Sequence, residues 1–463
     1  GDSFCTRIGQ RNENGMDDQK RRITIETFEG GQIMSKKKLP PDSIIYKELN
    51  DLFPMDFLRQ TAEETELIKR ERKIDPVIMF WVLVLSFGVG MQRTLASLKR
   101  NYEHEAKTTL SDSSWYYRFT DELIDFLKKC VIHGIEHQAK DRHRDLSEKL
   151  ERFEDVLIQD STIIRVHEKL EKIWPAARTR KVAAGVKVAT LVSAVANGPK
   201  TIALFSEKTA EVKTLKLGPW VKNRVLLIDL GFYKHHTFAR IDELKGFFVS
   251  KLKGTADPMI VDVNRICRGN SIDVVGKRWS EVAPHLKRQV LDVEVEISFK
   301  RRKYKGKQRK DKTRFRMIAT YNHDDRKYHA YLTNISKDKL EPEEIASLYG
   351  ARWEIELIFK ELKSRYALDV ITTANPKIIE SLIWVAILTL LSSRAIYNLF
   401  RRIVVANGEE PVRFTQLRWS RVFSETAHRH LSNLMDYLEI DFDTIKMMLV
   451  MHSQALDPHV NRK

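Results

Sequence analysis

Asp160 and Asp229 each follow a short apolar run, Val156-Leu157-Ile158-Gln159 and Val225-Leu226-Leu227-Ile228, and Glu356 lies in a segment of helical periodicity. Acids at the ends of apolar strands commonly serve as turn or cap residues. Three carboxylates on one α/β core have a second use. They can hold two divalent cations about 4 Å apart, one activating a water or a 3′-hydroxyl and the other stabilising the leaving oxygen of an in-line phosphoryl displacement. An all-oxygen ligand set suits Mg²⁺, with Mn²⁺ as a substitute.

Tyr349, Arg352, Glu356 and Lys363 stand at offsets 0, 3, 7 and 14. At about 100° per residue they fall near 0°, −60°, −20° and −40°, which predicts one stripe of one continuous helix. Glu354 and Glu361 project elsewhere, so Glu356 is the acid that shares a face with Arg352 and Lys363. A charged solvent face with spaced ion pairs would show the same stripe, but Tyr349 sits on it within a largely apolar segment.

The elements that must position these residues are legible as changes of period. Residues 41–150 repeat helically, with Asp75-Pro76, Ser111-Asp112 and Thr120-Asp121 as helix starts. They suit a helical DNA-binding module or a plain bundle. Near residue 155 short apolar runs take over: 156–158, 183–196, 201–205, 225–228 and 247–249 read as strands of an α/β domain. The chain then reads as irregular from Gly254 to Val290, where Val290 to Phe299 alternates and is answered by Phe315–Thr320 and Tyr328–Thr333. The expected divisions are a disordered basic extension (1–40), a helical region (41–150), a first core part (151–255), a β-rich insertion (256–335), a second core part with the Glu356 helix (336–400) and a helical C-terminal region (401–463).

Charge points to the partner. Lys plus Arg number 80 against 63 Asp plus Glu, a net charge of +17. With 42% hydrophobic residues the chain can bury a large core, so global disorder is excluded and a polyanion, nucleic acid first, is implied. Eleven Lys or Arg against one acid lie between Lys300 and Arg316, including Lys300, Arg301, Arg302 and Lys303. Tyr304 and Phe315 are interleaved, so this run reads as a loop lying along a phosphate backbone rather than only a solvated hairpin tip. Apolar stretches at 77–91 and 382–391 are too short or interrupted to span a membrane and read as core helices. Three scattered cysteines and no signal-peptide pattern lead to the expectation of a cytoplasmic protein. Cys130, His133 and His137, with His143 beyond, have the offsets of a zinc face, but Cys130 belongs to an apolar pattern and no second pair lies nearby. His235 and His236 likewise read as surface or phosphate-facing residues rather than ligands.

Tyr349-x2-Arg352-x3-Glu356-x6-Lys363 resembles the Tyr-Arg-Glu-Lys signature of the insertion-sequence-four family of transposases, the group that includes the transposon-five transposase. Asp160-Ser161-Thr162 and Asp229-Leu230-Gly231-Phe232-Tyr233 are similar to that family's two Asp regions, and Leu332-Thr333-Asn334 to the strand before its Glu helix. The resemblance implies a ribonuclease H-like catalytic core with a β-rich insertion between the second Asp and the Glu. Here 127 positions separate Asp229 from Glu356, enough for the whole β stretch. It further implies that Arg352, Lys363 and Tyr349 engage DNA-end phosphates. The implied activity is cleavage of double-stranded DNA at terminal inverted repeats and joining to target DNA by a homodimer in the DNA complex, in a prokaryotic, nucleoid-associated setting. The sequence departs from the family at Leu230, where an Arg is usual. Trp279, Tyr304 and Tyr321 are the insertion aromatics that could stack on a flipped base. A catalytically retired, DNA-binding descendant is the alternative, and the presence of all three acids argues against it.

Overall fold

The computed structural model describes residues 41–68, 74–89, 94–140, 146–177, 183–265, 272–301, 307–366, 373–408, 415–440 and 444–455. The expected extension at 1–40, together with Cys5, Cys267, His143, Arg302, Lys303 and Tyr304, lies outside them.

Six helices come first: α1 (Pro41–Leu52), α2 (Met55–Glu64), α3 (Pro76–Val82, continued by a π-turn over Leu83–Phe87), α4 (Leu95–Ala106), α5 (Asp112–Tyr116) and α6 (Asp121–Gln138). The helix starts at Asp75, Ser111 and Thr120 are real caps. The Asp75 carboxylate accepts from the Val77 and Ile78 amides, and the Ser111 and Thr120 hydroxyls accept from Ser114 and Leu123.

Then follow β1 (Asp155–Arg165), β2 (Gly185–Ser193), β3 (Gly198–Ser206), β4 (Arg224–Ile228), α7 (His235–Glu243), β5 (Phe247–Lys251), β6 (Met259–Val263), α8 (Trp279–Val282), β7 (Val290–Lys300), β8 (Lys310–Asn322) and β9 (Lys327–Thr333). The chain ends in α9 (Pro342–Gly350), α10 (Trp353–Ser364), α11 (Pro376–Ala406), α12 (Gln416–Tyr437) and α13 (Thr444–Ala455).

The described strands form one mixed sheet in the order β3-β2-β1-β4-β5-β9-β8-β7-β6. β1, β4 and β5 run parallel, and the other pairings are antiparallel. The β-rich stretch therefore extends the same sheet, hydrogen-bonded through β9 to β5. Two sequence expectations change here. The stretch after Gly254 is not irregular throughout, since β6 and α8 fall within it. The basic run is in part strand rather than loop: among its described residues, Lys300 ends β7 and Lys310 to Arg316 lie in β8.

Alternation along the strands assigns the two faces. Val156, Ile158, Val225 and Leu227 point into a core shared with the terminal helices, whereas Leu157, Leu226 and Ile228 point into a second core with Phe238 of α7 and Val282 of α8. α11 runs through the first core. Among the described residues it is the one helix long and apolar enough to cross a membrane, yet 94% of its most apolar window is buried inside the protein. It is a core helix, in agreement with the reading of residues 382–391.

Candidate active site

Register brings the two aspartates together. In the parallel pair of β1 and β4, Gln159 lies opposite Ile228, so Asp160 and Asp229 are the next step on neighbouring strands. Both continue the alternation of Ile158 and Leu227 and face the core covered by α10. Asp160 does not end its strand, as the sequence suggested. β1 runs on to Arg165 because its other neighbour, β2, still pairs with it there, and only the parallel partner stops. Asp229 does leave its strand and caps the short turn Leu230–Phe232.

The single helix expected for Tyr349 to Lys363 is broken. α9 ends at Gly350 and α10 begins at Trp353, and the join is tightened by i→i−3 bonds from Ala351 to Leu348, Arg352 to Tyr349, Glu354 to Ala351 and Ile355 to Arg352. Gly350 favours the interruption, because glycine weakens a helix by about 1 kcal/mol relative to alanine. Residues three apart eclipse across such a turn, so Tyr349 and Arg352 still share a side. α10 is held by Ile355, Ile358, Phe359 and Leu362, all buried in the first core. At roughly 1.5–3 kcal/mol for each buried side chain, that anchorage fixes the height of Glu356 over β1.

The three acids converge on one guanidinium. Arg352 reaches Glu356 Oε1 through Nη2 at 2.5 Å, Asp160 Oδ2 through Nη1 at 3.4 Å and Asp229 Oδ1 through Nε at 3.7 Å. Each aspartate's other oxygen is tied down locally: Asp160 Oδ1 accepts from the Ser161 amide at 2.7 Å, and Asp229 Oδ2 from the Gly231 amide at 3.3 Å. Burial, with repulsion from Asp229 and Glu211, pushes the Asp160 carboxyl up to about 6. The Tyr349 phenol, half-buried against Tyr331, is pushed up to about 12 by burial and the Asp229 charge. Lys363 lies partly buried in the last turn of α10. Among the described residues no three acid, His or Cys side chains converge closely enough on one point to chelate an ion, since Arg352 stands between these. The donor set nonetheless fits Mg²⁺ or Mn²⁺: it is all oxygen, and one guanidinium faces three carboxylates.

The other candidates are distributed differently. Lys300 is exposed at the end of β7. Arg301 is committed to Asp311 and Glu243, and Arg316, counted in the basic run, is buried against Asp292 at 2.7 Å and caps the Ile335 and Leu340 carbonyls. Trp279 packs at the edge of the second core, and Tyr321 packs on Tyr328 and His323. Cys130 is fully buried, while His133 stacks on Phe57 at 3.8 Å, as core residues do. His235 is tucked beside Tyr233. Sequence reasoning passed over Trp353, 59% exposed directly after Arg352. An aromatic on the polar side of the signature was the signal available. It also passed over Glu211, which lies in no periodic segment.

Residues 151–391, more than half of the chain, match the family model described as "Transposase DDE domain". Relatives are the transposase for insertion sequence element IS231F of Bacillus thuringiensis subsp. israelensis, 20% identical over 377 residues, covering 72% of this chain and 76% of the relative, and that for IS1151 of Clostridium perfringens, 22% identical over 394 residues, covering 79% and 83%. A third, for IS231E of Bacillus thuringiensis subsp. finitimus, is 23% identical over 360 residues, covering 69% and 72%. With its acids gathered between β1, β4 and α10 and this match across its sheet, the chain belongs to the transposase DDE domain family.

Proposed function

We propose that this transposase binds the terminal inverted repeats of an insertion sequence, hydrolyses the phosphodiester at each element end and joins the freed 3′-hydroxyl to target DNA. The observation that carries the reading is the convergence of Asp160, Asp229 and Glu356 on one side of the sheet, from two strands and one helix. In this reading β1 to β5 with α10 form a ribonuclease H-like core, 256–335 is its insertion, and the helical regions at 41–150 and 401–463 flank it and hold DNA. Asp160, Asp229 and Glu356 would hold Mg²⁺ or Mn²⁺. Two such ions, when bound, supply an activated attacking oxygen and charge stabilisation at the leaving one.

The chain's own groups do the rest. The Ser161 and Gly231 amides orient the aspartates, and α10 sets the height of Glu356. Arg352, which pairs with the acids in the free protein, is a side chain whose fork suits a phosphate, with Lys363 and Tyr349 placed to help position the strand. Lys300 and its basic neighbours Arg302 and Lys303 would track the backbone. Two element ends handled by chains with one triad each imply a homodimer in the DNA complex, acting on chromosomal DNA in the cytoplasm.

The test is cleavage of end-bearing DNA by purified protein with Mg²⁺. Replacing Asp160, Asp229 or Glu356 by Ala should lower the rate by roughly 10³-fold or more, the scale on which losing one member of a catalytic set acts, with end binding retained. Unaltered cleavage by Glu356→Ala would remove it from the site. A wild-type protein that binds ends but never cuts them would instead favour a retired, DNA-binding descendant.

A further inference from the structure

A fourth carboxylate borders the aspartate pair. Glu211 opens a short 3₁₀ turn over Glu211–Lys213 between β3 and β4, fixed by the Thr214 amide and hydroxyl on the Glu211 carbonyl at 2.8 and 2.7 Å. Its side chain meets two residues. Ser161 Oγ donates to Glu211 Oε1 at 3.4 Å, and the other carboxylate oxygen lies so close over Gly231 that a Cβ built there would stand 1.5 Å from it. A side chain at 231 would push the Glu211 carboxylate aside, and glycine leaves it room.

These two contacts matter because of what Ser161 and Gly231 do. They are the residues whose backbone amides hold the inner oxygens of Asp160 and Asp229, leaving Asp160 Oδ2 and Asp229 Oδ1 turned toward Arg352. One side chain therefore touches both residues that supply these amides. A carboxylate this close to the aspartate pair adds negative charge beside it, which favours a cation between its members.

We propose that Glu211 is a positioning residue for the aspartate pair, holding Asp160 and Asp229, through Ser161 and Gly231, in the arrangement that takes up a divalent cation. The proposal rests on the reading of Asp160, Asp229 and Glu356 as the cation-holding acids. A surface acid that merely closes its own turn would leave cation affinity alone.

The experiment titrates the full-length protein with Mn²⁺ and counts free ion by electron paramagnetic resonance, without DNA, in wild type, Glu211→Gln, Glu211→Asp, Gly231→Ala and Asp160→Ala. Glu211→Gln should weaken Mn²⁺ binding about ten- to a hundredfold, the usual effect of an outer partner of a ligand. Glu211→Asp should recover part of it, and Gly231→Ala, which drives the carboxylate away, should weaken it too. End binding in EDTA should be the same in wild type and Glu211→Gln, and the cleavage lost at low Mg²⁺ should return at high Mg²⁺. Wild-type Mn²⁺ affinity in Glu211→Gln and Gly231→Ala, beside a loss in Asp160→Ala, overturns this inference alone. Equal affinity in wild type and Asp160→Ala, or no binding in either, overturns the underlying triad and this inference with it. If Glu211→Gln does not fold, Gly231→Ala and Glu211→Asp decide by the same readout.

Discussion

Two glutamates on α10, five residues apart, each meet an arginine, and the two pairs are opposites. Five residues turn the helix by about 140°, so Glu356 looks toward β1 and β4 while Glu361 looks toward α11. Glu356 is 34% exposed and shares Arg352 with two aspartates, whereas Glu361 and Arg394 are each 1% exposed and bound to one another. Tyr366 completes the second pair, donating to Glu361 Oε1 at 2.9 Å or facing Ser393 Oγ at 2.7 Å. The inner pair is neutral by itself and closed to solvent. The outer group carries more negative than positive charge and is open, so it retains attraction for further cations. Charge balance and access, rather than residue type, separate a brace from a site.

The largest effect that tests this contrast is on stability. Glu361→Ala or Arg394→Ala strands a buried charge and should cost about 3–5 kcal/mol in urea unfolding, whereas Glu356→Ala should cost far less. Replacing both members together, Glu361→Leu with Arg394→Met, should recover most of the loss, because a buried pair contributes little beyond what apolar packing supplies. Comparable losses from Glu356→Ala and Glu361→Ala would erase the distinction.

The next effect concerns pH and is specific to the open group. Asp160 holds its proton up to about 6 in the folded chain, from an ordinary value of 3.8, chiefly through burial. Between those values the unfolded chain has released the proton and the folded chain has not. Stability must then fall as pH rises through this window, and the penalty is fully present above it. In EDTA, Asp160→Asn should therefore flatten the decline of Tm between pH 4 and 6 and leave the protein more stable than wild type at pH 7. A variant less stable than wild type at pH 7 would mean that the acid's charge is satisfied in the free protein.

A smaller effect separates free cations from committed ones in the β7–β8 hairpin. Lys300 is exposed, and Arg301 is spent on Asp311 and Glu243. Neutralising Lys300 should reduce the slope of log affinity for DNA against log salt by up to about 0.9, the value of one lost phosphate contact. Arg301→Gln should change that slope less and stability more. Equal slopes for the two variants would show that ion pairing within the hairpin does not decide which cations meet DNA.

Much of this arrangement was legible in the sequence, for reasons tied to particular residues. The apolar runs of β1, β4 and β5 and the alternation of β7 announce strands, and the caps at Asp75, Ser111 and Thr120 announce helices, because those signals are local. β6 was missed because Met259 to Val263 is short, bulged and buried fully only at Ile260. The break at Gly350 was missed because stripe arithmetic assumes an unbroken 3.6-residue repeat. Glu211 and the Glu361–Arg394 pair carry no local signal at all. Their meaning comes from partners 50 and 33 residues away, at Ser161 and Arg394, which only the fold supplies.

The smallest expected effect is the sharpest control on the geometry. Glu354 is the third glutamate of α10, two residues before Glu356, and about 160° around the helix from it. It shares the helix, the charge and the neighbourhood of Arg352 in sequence, but not the face that looks onto β1. If proximity along the chain were enough to recruit an acid, Glu354→Ala would slow cleavage as Glu356→Ala does. If the face decides, Glu354→Ala should leave cleavage and Mn²⁺ affinity at wild-type values and shift stability by no more than about 0.5 kcal/mol, as substitutions outside the packed core do. A thousandfold loss of cleavage in Glu354→Ala would require α10 to rotate when DNA binds, and the acid opposite Asp160 and Asp229 would then have to be reassigned.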